Sequence, residues 1–435
     1  MSTLRITGGA RLSGEVRISG AKNAATKELV AALLTDEPVT LTNVPDIGDT
    51  AVTIDMLRAL GALVERRGDA VTVTASGMTS PEVTEAFSRK NRIPILLFGP
   101  LLSRFREARI PALGGCNIGA RPVDFHLAAL RSMGADIVCA NGMYEARIPE
   151  GKRLKGTVID LPFPSVGATE NIMLAAVLAK GITTIQNAAI EPEILDLAKL
   201  LQSMGAIISL DVNRSWVIEG VDVLHGASHR VIPDRIEAAS FAAAAALIGS
   251  DVRIRDAEQG DMLSFLNALR RVGVRFEIEA DGIRVFRAET IKPTTLETDV
   301  HPGFMTDWQQ PFVMLLTQAN GVSIVHETVY ENRFGYTEAL NNMGANITVH
   351  QKCLGEKACR YKHRNEPHSA VIVGPTPLHA AVIDIPDLRA GFSYLIAALI
   401  ADGTSVISGI EHIERGYENI IEKLKGLGAK IEKGE

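Results

Sequence analysis

Along this chain an amphipathic stretch ends six times in an apolar residue, a glycine and a small apolar residue, and a strand-like run follows. The signature stands at Leu60-Gly61-Ala62, Met133-Gly134-Ala135, Met204-Gly205-Ala206, Val272-Gly273-Val274, Met343-Gly344-Ala345 and Leu427-Gly428-Ala429, its glycines 73, 71, 68, 71 and 84 residues apart. Before the glycine, apolar residues recur at helical spacing, as at Ile194, Leu197, Leu201 and Met204, or Tyr417, Ile420, Leu424 and Leu427. A glycine there supplies a left-handed helix cap without a Cβ clash. The runs that follow, such as Ile137-Val138-Cys139 and Arg275-Phe276-Glu277-Ile278, read as strands.

Each copy also carries a helix that is apolar nearly all round, predicted at 29–34, 93–102, 172–178, 236–248, 311–317 and 392–400. Such a helix is normally buried. Four of them are expected to end at a glycine: Gly181, Gly249, Gly321 and Gly403. The predicted unit therefore has one helix inside, one outside, and a small sheet. Its class is α/β (α+β), and six units divide naturally into two domains of three.

Composition narrows the function. At 435 residues the chain has ample core for two or three domains. A net charge of -6 argues against a general nucleic-acid binder but leaves room for a local cationic pocket. The start, Met1-Ser2-Thr3-Leu4-Arg5, lacks an apolar signal region, and the apolar run at 240–248 is far short of a membrane span. A soluble, cytoplasmic protein without membrane partners is expected. Four cysteines do not make a disulfide framework.

Chemistry is expected where the copies differ. Polar residues open the buried helices: Gly20-Ala21-Lys22-Asn23, Arg92, Ser165-Val166-Gly167-Ala168-Thr169, Pro233-Asp234-Arg235-Ile236-Glu237, Thr306-Asp307 and Asp387-Leu388-Arg389. Ser165, Thr306 and Asp387 are adequate as helix caps. Lys22, Arg92, Arg235 and Arg389 oppose the helix dipole, so a bound anion explains them better. The second copy is anomalous. Its loop at 111–124 holds Gly114, Gly115, Cys116, Gly119, Arg121, Pro122 and Asp124, long and glycine-rich where other copies are short. A thiol beside cations can act as acid or nucleophile; the competing reading is a small buried hydrophobe. The loops Glu327–Phe334 and Glu411–Glu418 each place an arginine before an amphipathic helix, which alone could be surface ion pairs.

Taken in order, Gly20-Ala21-Lys22-Asn23-Ala24, the Gly114–Asp124 loop, Ser165–Thr169, Pro233–Glu237, Glu331-Asn332-Arg333-Phe334 and Arg415-Gly416-Tyr417-Glu418 resemble the enolpyruvyl transferase family, and within it the UDP-N-acetylglucosamine 1-carboxyvinyltransferases. The resemblance runs from Leu4 to the C-terminus. It implies two inside-out α/β barrels of three repeats, one at 22–230 carrying the Cys loop, the other combining 1–21 with 231–435, and an active site in the cleft between them. It implies transfer of the enolpyruvyl group of phosphoenolpyruvate to the 3′-hydroxyl of UDP-N-acetylglucosamine with release of phosphate, no cofactor, no metal, and alkylation of Cys116 by fosfomycin. By the same resemblance Asp307 is the base and Cys116 the acid. Lys22, Arg121 and Arg415 surround phosphoenolpyruvate, with Arg92, Arg333 and Arg389 nearby. Asn23 orients the sugar, while Pro122, His126, Ser165, Val166, Gly167 and Val329 face the nucleotide. Phe163 and Phe125 depart from the family pattern on the nucleotide side. A 5-enolpyruvylshikimate-3-phosphate synthase, a paralogue with another uridine acceptor and a non-catalytic nucleotide-sugar sensor remain open alternatives.

The 84-residue spacing locates an insertion around 351–375. It contains Cys353, Cys359, His363 and His368 among five basic residues, Lys352, Lys357, Arg360, Lys362 and Arg364. Cys-x5-Cys fits no standard zinc finger, so a basic solvated loop or extended hairpin is expected.

Overall fold

In the computed structural model, which describes residues 3–88, 90–112, 123–357, 359, 361 and 365–434 (Arg389 by its backbone alone), all six signature glycines are left-handed. Their φ values lie between +90° and +107°. Each closes the same pair of hydrogen bonds. The Gly61 N–H donates to the Arg58 carbonyl at 2.9 Å and the Ala62 N–H to the Leu57 carbonyl at 3.1 Å, and the pattern repeats at 134/135, 205/206, 273/274, 344/345 and 428/429. This is the Schellman cap, whose signature includes an apolar residue after the glycine packed back on the helix. Ala62, Ala135, Ala206, Val274, Ala345 and Ala429 are accordingly all buried. The three-residue signature is thus a complete stop signal: an apolar last turn, a left-handed residue, and a small core residue.

Of the other four glycines, Gly249 ends its helix as expected and three do not. The helix Arg235–Ile248 does stop at Gly249, but with extended backbone (φ -72°, ψ 147°) rather than a left-handed cap. A methyl on Gly249 would lie 2.5 Å from the Ala245 carbonyl oxygen, so close approach explains this glycine. The helices Val166–Ala176, Gln309–Leu316 and Leu388–Ile400 end several residues before Gly181, Gly321 and Gly403. Gly321 opens the strand Gly321–His326, while Gly181 and Gly403 immediately precede Ile182–Gln186 and Thr404–Ser408. These glycines turn the chain from core helix into sheet.

Among the described residues there are six small sheets, five of four strands and one of three. Each four-stranded sheet contains one parallel pair, and its remaining pairs are antiparallel. The three-stranded sheet belongs to the second copy (Glu107–Pro111, Asp136–Ala140, Met143–Arg147), where a lone bridge, Glu82 to Arg109, stands beside it. Strands far apart in sequence complete the outer copies. Leu4–Thr7 pairs with both Thr404–Ser408 and Lys430–Lys433, Leu12–Arg17 with Gly249–Arg255, and Ala227–Arg230 with Val39–Thr42.

The chain accordingly divides into two units. The central unit runs from Gly20 to Ile232; the terminal unit combines the residues through Ser19 with those from Pro233 onward. Each has its own core cluster. In the terminal unit the helices Arg235–Ile248, Gln309–Leu316 and Leu388–Ile400 pack on one another. Every residue of the first two is buried, the apolar ones as their all-round distribution requires and the polar ones gathered at the helix starts. In the central unit Phe98–Phe105 packs on Val166–Ala176, and Lys22–Ala31 on the turn Ile93–Leu97. No helix among the described residues is long and apolar enough to cross a membrane.

Candidate functional site

The central unit collects polar residues at the starts of its buried helices. Lys22 is the first residue of Lys22–Ala31, and no side chain caps that helix. Its ammonium lies 2.8 Å from Asp49, in the first turn of the helix Gly48–Ala59. A protein carboxylate therefore answers part of the charge that the sequence assigned to a bound anion. Asn23 is half-buried beside it, and its carbonyl accepts from the Lys27 ammonium at 2.6 Å.

Ser165 caps Val166–Ala176, accepting from the Ala168 N–H at 3.4 Å. His126, in the first turn of Asp124–Ser132, is buried, and its Nδ1 meets the Asn171 side-chain amide at 3.0 Å. Burial, with the Arg92 charge nearby, lowers its pKa to about 3. The imidazole is then neutral, accepts at Nδ1, and keeps its proton on Nε2. A methyl on Gly167 would lie 3.3 Å from His126 Cε1 and 3.5 Å from Nε2, so the glycine lets the ring lie close against the start of Val166–Ala176. The structure thus brings His126, Arg92, Ser165, Val166 and Gly167 onto the starts of helices that pack on one another, with the Arg92 charge felt at His126. A separate cavity of about 340 Å³, lined by Leu102, Arg106, Arg153 and Asp222 among others, contains none of these residues.

The terminal unit builds its group around a buried carboxylate. Asp307 sits in the turn Thr306–Trp308 and is ion-paired with Arg333, whose side chain is 2% exposed against 17% for Asp307. Glu327 holds both segments. One oxygen accepts from Thr306 Oγ1 and Gln309 Nε2, each at 2.9 Å; the other accepts from the Val329 and Tyr330 N–H groups at 2.8 and 3.0 Å. Burial raises its pKa, opposed by these donors and by Arg333. Thr306 is therefore a donor to Glu327, not the helix cap its position implied. Asp387 is a cap, accepting from the Ala390 N–H at 3.1 Å.

Val329 and Arg415 are half-buried. Arg415 ends the short helix Ile410–Glu414, which packs on Leu388–Ile400, the helix that carries Arg389 in its first turn. Gly391 and Gly416 permit that contact: a methyl on either would lie 2.4 Å from Ile413 Cγ1 or 2.7 Å from Leu388 Cδ2. Arg235, at the start of the helix Arg235–Ile248, is buried, its guanidinium 5.3 Å over the Trp308 ring. Cys116, Arg121, Pro122 and the Arg389 side chain lie outside the described residues.

Four buried charged groups take on roles that the sequence did not assign to them. Glu327 is one. Lys27 and Glu170 face each other at 3.8 Å beneath Asn23 and the Ser165 cap, with burial lowering the lysine pKa and raising that of Glu170 to about 7. Glu237, also raised to about 7 by burial, accepts from the Ser19 N–H and the Lys423 ammonium at 3.1 and 2.5 Å. For Lys27, Glu170 and Glu237 the usable signal was a charge inside an otherwise apolar helix, which normally survives burial only with a partner.

The sequence matches the family described as EPSP synthase (3-phosphoshikimate 1-carboxyvinyltransferase) over residues 6–424. It is 51% identical to the UDP-N-acetylglucosamine 1-carboxyvinyltransferase of Protochlamydia amoebophila (strain UWE25), over 99% of this chain and 94% of that one. The enzyme of the same name from Chlamydia abortus (strain DSM 27085 / S26/3) is 49% identical over 99% and 98%. Among solved structures, the enolpyruvyl transferase NikO from Streptomyces tendae superposes with a TM-score of 0.88 at 27% identity, covering 99% of this chain and 98% of that one. Six repeats in two units, the Asp307–Arg333 pair and relatives of this identity along nearly the whole length lead to one conclusion: the chain belongs to the EPSP synthase family and, within it, to the UDP-N-acetylglucosamine 1-carboxyvinyltransferases.

Proposed function

We propose that this enzyme transfers the enolpyruvyl group of phosphoenolpyruvate to the 3′-hydroxyl of UDP-N-acetylglucosamine, in the cytoplasm, as the first committed step of peptidoglycan synthesis. The observation that carries the reading is Asp307. It is a partly exposed carboxylate oriented by a buried arginine, on a turn fixed by buried Glu327. That arrangement suits a base that must meet a hydroxyl in one geometry.

In the reaction the sugar oxygen attacks C2 of phosphoenolpyruvate while its proton passes to Asp307 and C3 gains a proton. The resulting tetrahedral adduct then expels phosphate as C3 loses a proton, which restores the vinyl group. Cys116 is the acid that serves C3 and the departing phosphate. Lys22, Arg121 and Arg415 balance the phosphate and carboxylate charges, with Arg92, Arg333 and Arg389 as further cations of the site. Asn23 orients the sugar; Pro122, His126, Ser165, Val166, Gly167 and Val329 receive the nucleotide. The neutral His126 Nε2–H suits a neutral or anionic acceptor on the nucleotide without adding charge.

Phosphate release from phosphoenolpyruvate is the test, with UDP-N-acetylglucosamine or shikimate 3-phosphate as acceptor. Turnover with the first acceptor alone is expected; turnover with the second alone would reject the assignment. Asp307→Ala is expected to lower kcat by about 10²-fold or more, the usual contribution of a positioned acid–base group. A near-normal rate would remove the base role.

A further inference from the structure

The insertion does not behave as a solvated loop. It joins the antiparallel strands Asn346–His350 and Ser369–Gly374, and several of its described residues turn inward. Tyr361 and His368 are fully buried, and Cys353 and Cys359 are half-buried. His326, the last residue of the strand Gly321–His326 and also fully buried, comes in from outside the insertion. One ligand-capable atom from each of His326, Cys353, Cys359 and His368 lies within 4.8 Å of all the others. The spacing resembled no standard finger because one histidine is contributed by a strand that precedes the insertion.

The surroundings orient all four groups. His368 Nδ1 donates to the Glu366 carbonyl at 2.6 Å, which turns Nε2 toward Cys353 Sγ, 3.2 Å away. His326 Nδ1 meets Ser369 Oγ at 2.8 Å, and its Nε2 is buried with no hydrogen-bond partner. A buried imidazole nitrogen without a partner is costly unless something else fills that role. The Tyr361 N–H donates to Cys359 Sγ at 3.3 Å, a contact that stabilises a thiolate. Gly355 lets the segment lie against the His326 ring: a methyl there would fall 2.4 Å from His326 Cδ2. Imidazoles tied back through Nδ1 and presenting Nε2 are the usual arrangement of metal-binding histidines.

We propose that His326, Cys353, Cys359 and His368 form a structural zinc site of the Cys2His2 type. Two thiolates and two neutral imidazoles in a closed tetrahedral set select zinc among the common divalent ions. With bonds of about 2.0–2.3 Å, neighbouring ligand atoms sit roughly 3.3–3.8 Å apart, so the cluster needs only a modest contraction. Binding displaces a proton from each of the two thiols, and the charges of the ion and the two thiolates then cancel. The site also has a consequence for the enzyme. The Tyr361 hydroxyl donates to the Val329 carbonyl at 2.7 Å and contacts Glu331 at 3.0 Å. The metal would thereby pin the insertion onto the Val329–Arg333 loop.

The test uses the full-length protein. Zinc content is measured after purification and after zinc addition followed by desalting, and cobalt(II) is substituted for its optical spectrum. About one zinc per chain is expected, with thiolate-to-cobalt charge transfer and tetrahedral ligand-field bands. Cys353→Ser, Cys359→Ser and His326→Gln are expected to abolish the spectrum, whereas Cys139→Ser and His363→Ala retain it. Because a ligand variant can fail to fold, a second measurement uses the unmutated protein. Alkylation mapped by mass spectrometry should spare Cys353 and Cys359 when zinc is bound and label both after chelation, with a lowered Tm. A folded, reduced protein that takes up neither ion, or a cobalt spectrum that survives both cysteine substitutions, overturns the proposal.

Discussion

Glu327 is the residue on which the polar group of the terminal unit turns, and its substitution separates a structural scaffold from a dispensable contact. Its carboxylate accepts four hydrogen bonds, two from side chains of the segment that carries Asp307 and two from backbone N–H groups of the loop that carries Arg333. Hydrogen bonds to a charged group contribute about 1.5–3 kcal/mol each, and removing the acceptor leaves buried donors unmatched. Water entering the space recovers part of this, so Glu327→Ala is expected to destabilise the terminal unit by about 3–5 kcal/mol. Glu327→Gln should be far milder. Its amide oxygen can keep the Val329 and Tyr330 donors. Its NH2 can then donate to Thr306 Oγ1 and to a flipped Gln309, whose NH2 turns to the Tyr336 hydroxyl now 3.2 Å from Gln309 Oε1. The remaining loss is charge assistance, about 1–2 kcal/mol. The chain has two tryptophans, and the buried Trp308 belongs to the terminal unit while Trp216 belongs to the central one. Urea unfolding followed by Trp308 fluorescence in a Trp216→Phe background therefore reads the right unit. Displacing Asp307 should also lower kcat/KM in Glu327→Ala by about 10²-fold. A Glu327→Ala protein within about 1 kcal/mol of the parent, or a Gln variant as damaged as the Ala variant, would refute the reasoning.

Three further outcomes follow from the same structure. Gly134→Ala meets open space and strains only a φ of +98°, so a loss of about 1–2 kcal/mol is expected; Gly344→Ala adds a contact 2.8 Å from the Pro377 carbonyl oxygen and should lose more, as compared by thermal melting. His126 has a folded pKa near 3 against 6.5 ordinarily, so below pH 6.5 the unfolded chain takes up a proton that the folded one refuses. Stability is lost as pH falls from 6.5 toward 3, about 2 kcal/mol by pH 5, and His126→Gln should remove that part of the slope in unfolding followed by Trp216. Glu237 runs in the opposite sense. With a folded pKa near 7 against 4.5 ordinarily, its contribution is greatest below pH 4.5 and declines as pH rises to 7, so Glu237→Gln should flatten that window when read through Trp308.

The helix caps were legible because they are local. An apolar last turn, a glycine and a small apolar residue specify a Schellman stop wherever they occur, and all six behave alike. The buried helices were legible for the same reason, since an unbroken apolar surface cannot face water. Gly181, Gly321 and Gly403 were misplaced because a left-handed glycine serves the start of a strand as well as the end of a helix. Lys22 read correctly as a cation at a helix start, but its Asp49 partner comes from the next helix and no spacing rule predicts it.

The sequence by itself determined the repeat, the inner and outer helix of each copy, and the residue types available for enolpyruvyl chemistry. The first two follow from periodicity within a few turns of chain; the third rests on the family resemblance. Only the tertiary structure decided how Leu4–Thr7 enters the sheet of the last copy and how Glu327 joins Asp307 to the Arg333 loop. It alone set His326 beside Cys353, Cys359 and His368. The physical reason is common to all three. A hydrogen bond, ion pair or metal ligand is selected by distance in space, and the burial that gives it strength arises only once remote segments have packed.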